Sequence, residues 1–120
     1  MMAGVKNRPF HRRLRYALAG IAAAFRSESS FRIQCAFALA APLALIALGA
    51  RAIWWAVITL TVGAVLAAEL LNTALEALAD QLHPEQHPLI ARAKDCAAGA
   101  VAVLSLAAIG VGVAMVIDTL

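Results

Sequence analysis

Three charge-free apolar stretches decide what this chain can fold into. Cys35 to Ala50 spans 16 residues, Ala52 to Ala68 spans 17, and Cys96 to Ile117 spans 22. A helix that crosses a bilayer needs roughly 20 mostly apolar residues, and about 17 suffice at the short end. The first stretch reaches that length once Phe31, Ile33 and Gln34 are added. A soluble domain of 120 residues could not hide a composition that is 63% hydrophobic and 14% charged, so lipid is the solvent for part of the chain. In lipid the backbone must satisfy its own polar groups, which helices do. The spacing predicts a single all-α membrane domain with three spans, over about 31–49, 52–80 and 89–118.

Orientation follows from the basic residues. Lys6, Arg8, Arg12, Arg13, Arg15, Arg26 and Arg32 precede the first span, and Arg92 and Lys94 lie between the second and third. Only Arg51 falls in the remaining connection, a ratio of nine to one. The positive-inside bias therefore predicts a cytoplasmic N-terminus and second loop, with Asp118 outside. No apolar core with a small-residue cleavage site follows the basic start, so a removable signal peptide is not expected. The net charge of +3 comes almost wholly from this N-terminal segment. Topology and attraction to anionic lipid account for it, and no nucleic-acid partner is expected. Cys35 and Cys96 fall at cytoplasmic span ends, a reducing setting where they are expected to remain thiols.

Residues from about 9 to 27 predict an amphipathic surface helix. Arg8, Arg12, Arg15 and Arg26 share one stripe at helical spacing, and Leu14, Leu18, Ile21 and Phe25 share another. A basic face beside an apolar face suits a helix lying in the membrane interface. The serines of Ser27-Glu28-Ser29-Ser30 are expected to cap the first span. Pro42 is a possible kink, and Gly49-Ala50-Arg51-Ala52 predicts a tight outer turn. Trp54 and Trp55 follow it at the depth of the aromatic belt. Helix two should run on past the apolar stretch, because nothing from Ala67 to Asp80 breaks a helix. The break comes at His83-Pro84-Glu85-Gln86-His87-Pro88.

The chemistry concentrates in that extension. Glu69, Asn72, Glu76 and Asp80 stand at i, i+3, i+7 and i+11, a narrow stripe on one helix face. Counted from Ala52, Glu69 lies roughly 25 Å along the helix, near the inner edge of a hydrocarbon core about 30 Å thick. A carboxylate at that depth is costly and marks a functional site by default. The acids repel one another unless a cation sits among them, and oxygen ligands suit a hard ion such as Mg²⁺. Glu28, Arg32, Arg92, Lys94 and Asp95 lie at the same cytoplasmic level. Carboxylates for a metal, cations for phosphate and a glutamate at lipid depth are the parts of phosphoryl transfer to a lipid. The chain has no P-loop motif and no glycine-rich loop with a downstream H-R-D.

At these residues the chain resembles the prokaryotic diacylglycerol kinase family. The likeness rests on Glu69-Leu70-Leu71-Asn72-Thr73-Ala74-Leu75-Glu76 with Asp80, and on Ala93-Lys94-Asp95 followed by Ala97-Ala98-Gly99-Ala100-Val101. Tyr16, Gly20, Glu28 and Phe31-Arg32 complete it, over about residues 10–118. The resemblance implies a homotrimer in a bacterial inner membrane that phosphorylates diacylglycerol with ATP. It implies Glu69 as general base, with Asn72 orienting the glutamates. Glu28 and Glu76 would hold Mg²⁺ on ATP, Lys94 would contact phosphates, and Tyr16, Glu85, His87 and Asp95 would line the nucleotide. The lipid would lie against Phe25, Ser30, Phe31, Arg32, Glu69 and Ala98. Pro9, Leu18 and Gln34 depart from the family pattern, which has an arginine, a tryptophan and an acidic residue there.

The sequence leaves other readings open. Undecaprenol is an alternative acceptor within the same family. A small multidrug-type transporter also uses an intramembrane glutamate, but has four spans and places the acid mid-span. A structural or regulatory subunit needs no carboxylate stripe. His83, Glu85 and His87 are thin for a zinc site, and Pro84 disfavours a helical histidine pair.

Overall fold

The computed structural model describes residues 7–120, and Lys6, one of the basic residues counted above, lies outside them. Among the described residues there are four helices: α1 Phe10–Ser27, α2 Ser29–Leu48, α3 Ala52–Leu82 and α4 Pro88–Thr119. The last three, of 20, 31 and 32 residues, are each long and apolar enough to cross a membrane. At about 1.5 Å per residue, α3 and α4 measure roughly 46 and 48 Å against a hydrocarbon core of about 30 Å. The surplus turns carry Glu76, Asp80, Arg92, Lys94 and Asp95. Apart from Glu69, the charges of α3 and the first turns of α4 fall where the helices outrun the lipid.

Helix α3 is the centre of the bundle, packing most extensively on α4, then on α2, and touching α1. The buried apolar core of the single chain is small: Ala24, Phe31, Leu45, Val65 and Met115. Leu39, Leu60 and Leu106 are 76%, 76% and 70% exposed. In water such faces would drive aggregation; in a bilayer acyl chains cover them. Between α2, α3 and α4 an apolar cleft of about 450 Å³ opens, with Gln34 at one end and Met115 at the other.

Glu28 makes the corner between α1 and α2. It is the one extended residue there (φ −117°, ψ 112°), and its N–H donates to Ala24 O at 2.9 Å. The expected serine caps are not formed: no side chain caps α2. Arg32 closes the corner instead, donating from Nη1 to the carbonyls of Phe25 (2.7 Å) and Arg26 (3.1 Å). It thereby satisfies carbonyls that the end of α1 leaves free. Helix α2 then runs unbroken through Pro42.

The turn between α2 and α3 is a Schellman motif at Gly49. Gly49 N–H donates to Ile46 O and Ala50 N–H to Leu45 O, with Gly49 at φ 64°. A side chain at that left-handed angle costs roughly 1–2 kcal/mol, which explains the glycine. Next to it, Asp118 Oδ2 accepts from Arg51 Nη2 (2.7 Å), Arg51 Nε (3.1 Å) and Trp54 Nε1 (2.7 Å). This joint ties the start of α3 to the end of α4. At the opposite end, His87 Nδ1 accepts from Leu89 N–H at 3.1 Å and Pro88 opens the first turn of α4. Proline there loses no helix hydrogen bond.

Candidate active site

The stripe Glu69, Asn72, Glu76, Asp80 lies on one unbroken helix, and its burial falls steadily along it. Glu69 is 3% exposed, Asn72 and Glu76 are half-buried, and the Asp80 side chain is 66% exposed. One helix face thus passes from a sealed interior to open water within about 16 Å.

Glu69 is the buried charged residue among the described residues. Burying a carboxylate is expensive unless a donor meets it. Ser30 Oγ, in the first turn of α2, donates to Glu69 Oε2 at 3.1 Å. The serine hydroxyl that sequence assigned to capping is therefore spent on the catalytic candidate. The carboxylate also sits by a helix N-terminus, whose partial positive charge favours an anion. Three residues along α3, Asn72 Oδ1 is buried without a hydrogen-bond partner among the described residues. Asn72 bonds to neither glutamate, so its oxygen is open to a donor that a substrate brings.

At the aqueous end, Lys94 Nζ of α4 donates to Asp80 Oδ1 and forms an ion pair with it. Beside this pair lies an open cavity of about 560 Å³, lined by Asp80, the His83–Pro88 turn, Ile90, Ala91 and Lys94. His83 Nδ1 lies 2.7 Å from Glu85 O, and its ring meets that of His87 edge-on at 5.5 Å. These contacts fix the turn that forms the cavity wall. Lys94 supplies the cavity's lysine or arginine charge, and the space suits a polyanion that displaces Asp80 from it.

Of the residues expected at a nucleotide, Glu85, His87 and Lys94 line this cavity. Tyr16, Glu28, Glu76 and Asp95 lie outside it. Tyr16, on α1, accepts a hydrogen bond from Arg8, whose guanidinium lies 5.2 Å from the ring centre. Glu28 stands at the α1–α2 corner and Glu76 on α3. Among the described residues no three His, Cys, Asp or Glu side chains form a metal cluster. A magnesium ion riding on nucleotide phosphates takes only one or two carboxylates from the protein, so the donor chemistry of Glu28 and Glu76 is compatible with it. Of the residues expected at the lipid, Phe25, Ser30 and Ala98 are exposed, whereas Phe31 is 2% exposed and packs inside the bundle. Arg32 is exposed but tied to the α1 carbonyls.

Two contacts were not readable from the sequence. Ser30 and Glu69 are 39 positions apart, and Asp80 and Lys94 are 14 apart across a turn. The signal for each was a residue type only, a hydroxyl near an expected acid and an acid near an expected base.

Residues 15–116 match the family described as prokaryotic diacylglycerol kinase. A protein of Synechocystis named diacylglycerol kinase is 44% identical over 99 residues, 82% of this chain and 57% of that protein. The chain thus spans little more than half of that relative's length. A Bacillus subtilis protein named undecaprenol kinase is 38% identical, covering 72% of this chain and 71% of its own. A diacylglycerol kinase of Escherichia coli is 33% identical, covering 78% of this chain and 77% of its own.

Proposed function

The chain belongs to the prokaryotic diacylglycerol kinase family, and from that premise we propose that it transfers the γ-phosphoryl group of ATP to the hydroxyl of diacylglycerol, giving phosphatidic acid. The observation that carries this reading is the burial gradient on α3. Glu69 is sealed inside the bundle, while Asp80, on the same face of α3, borders an open cavity together with Lys94 of α4. One end suits an alcohol held in the bilayer and the other a nucleotide in water.

The chemistry follows from that placement. Glu69 accepts the proton of the lipid hydroxyl as its oxygen bonds to the γ-phosphorus, and the bond to the β-phosphate oxygen breaks to release ADP. Such a transfer asks for alignment and charge neutralisation more than for covalent chemistry. Lys94 leaves Asp80 to meet phosphate oxygens, and Glu85 and His87 border the nucleotide. Glu28 and Glu76 would hold Mg²⁺ on ATP, and the ion would supply charge neutralisation when bound. Asn72 accepts a hydrogen bond at the reacting end.

The site is proposed to lie between subunits of a homotrimer in the bacterial inner membrane, with the N-terminus cytoplasmic and α1 in the interface. Support comes from the scatter of Tyr16, Glu28, Glu76 and Asp95 outside the cavity that holds Glu85, His87 and Lys94. The exposed pairing of Leu14, Leu18, Ile21 and Phe25 with the α1 arginines supports the interfacial helix. Family membership leaves the transporter reading without support.

Undecaprenol remains a second acceptor, favoured by the Bacillus subtilis relative of that name. Purified protein in mixed micelles, assayed for ADP release with each alcohol in turn, separates the two. Diacylglycerol is expected to give a kcat/KM about tenfold higher or more, a margin of roughly 1.4 kcal/mol. The reverse order assigns undecaprenol, and no lipid-stimulated ADP release overturns the kinase reading.

A further inference from the structure

The geometry points to Ser30 as a positioning residue that locks the Glu69 carboxylate for proton abstraction, rather than as a contact to the lipid alone. This rests on the kinase reading of Glu69. Ser30 Oγ donates to Oε2 of Glu69 at 3.1 Å, and no described residue donates to Oε1. One oxygen is held and the other is left for the substrate proton. A glutamate side chain has three rotatable bonds, and a reacting group gains rate only when held in an attacking geometry.

Three observations make this more than a chance contact. Glu69 is 3% exposed, so water does not supply the missing donor. Ser30 occupies the first turn of α2, where its hydroxyl would ordinarily serve the helix end, yet α2 carries no side-chain cap. The bond also crosses helices, fixing Glu69 relative to the α1–α2 corner where Glu28 sits. A base and a metal ligand are thereby set in one frame. Ser30 itself remains exposed, so its neighbourhood has room for a larger hydroxyl side chain.

Steady-state kinetics on the full chain in mixed micelles, with diacylglycerol and undecaprenol as separate probes, test this. Ser30→Ala is expected to lower kcat about tenfold, within the ~10²-fold loss that misplacing a reacting group can cause. KM for lipid and for ATP should stay near wild type. Ser30→Thr, which keeps the hydroxyl, should restore kcat to within about twofold, and Ser30→Ala should add nothing to the loss in Glu69→Gln, as expected for coupled residues. An unchanged kcat in Ser30→Ala overturns the assignment. A raised lipid KM at constant kcat does so too, since that marks a lipid contact, and so does a Ser30→Thr variant as slow as Ser30→Ala. Should Glu69→Gln itself keep its rate, the base reading falls first; should only Ser30→Ala keep it, the positioning role alone is lost.

Discussion

Glu69→Gln is expected to lose between about 10² and 10⁴ in kcat, the contribution typical of a general base. The change is nearly isosteric and leaves an oxygen for the Ser30 hydroxyl, so the helices and their packing should persist. It removes only the capacity to take a proton at lipid depth. The loss corresponds to roughly 3–5.5 kcal/mol of transition-state stabilisation. KM for ATP should barely move, because Glu69 lies about 16 Å along α3 from the Asp80–Lys94 level. Kinetics at saturating lipid and ATP, with circular dichroism and gel filtration on the same preparation, give the answer. A folded variant with wild-type turnover would remove Glu69 from the mechanism.

Lys94→Met should act at the other end of the stripe. The cavity beside Lys94 is bordered by Asp80 and Glu85, so without the lysine its lining keeps two carboxylates and no lysine or arginine to oppose them. Polyphosphate would then meet repulsion where it now meets a cation. Removing one electrostatic stabiliser of a developing anion typically costs about 10²–10³ in kcat. Here KM for ATP should also rise by about tenfold or more, since ground-state phosphates lose the same partner. Lipid KM should be unaffected. Titration with a fluorescent ATP analogue separates the binding part, and unchanged affinity would place the nucleotide elsewhere.

Much of the architecture is legible in the sequence because the bilayer restricts the options so severely. Three apolar stretches predict three helices, and Gly49 and the two prolines at Pro84 and Pro88 mark where the chain turns. The stripe from Glu69 to Asp80 is legible for a related reason. With no breaker between Ala67 and Asp80 the periodicity had to hold, and α3 runs from Ala52 to Leu82 without interruption. Side-chain pairing between helices was not legible. Ser30 bonds Glu69 instead of its own helix end, because a buried carboxylate is a stronger acceptor need than a helix terminus open to water. Arg32 turns to the α1 carbonyls and Phe31 to the interior, since the corner at Glu28 points them there. Asp118 meets Arg51 and Trp54 across 67 and 64 positions, a contact set by where α3 begins and α4 ends.

Transfer of label from the γ-phosphate of ATP into the organic extract of a protein–lipid mixture tests the central claim most directly. Wild-type protein should place one labelled phosphate in an extractable lipid for each ADP formed, and Glu69→Gln should leave the organic phase unlabelled. ADP accumulating with all label left in water would contradict a helix face that joins a bilayer alcohol to an aqueous nucleotide.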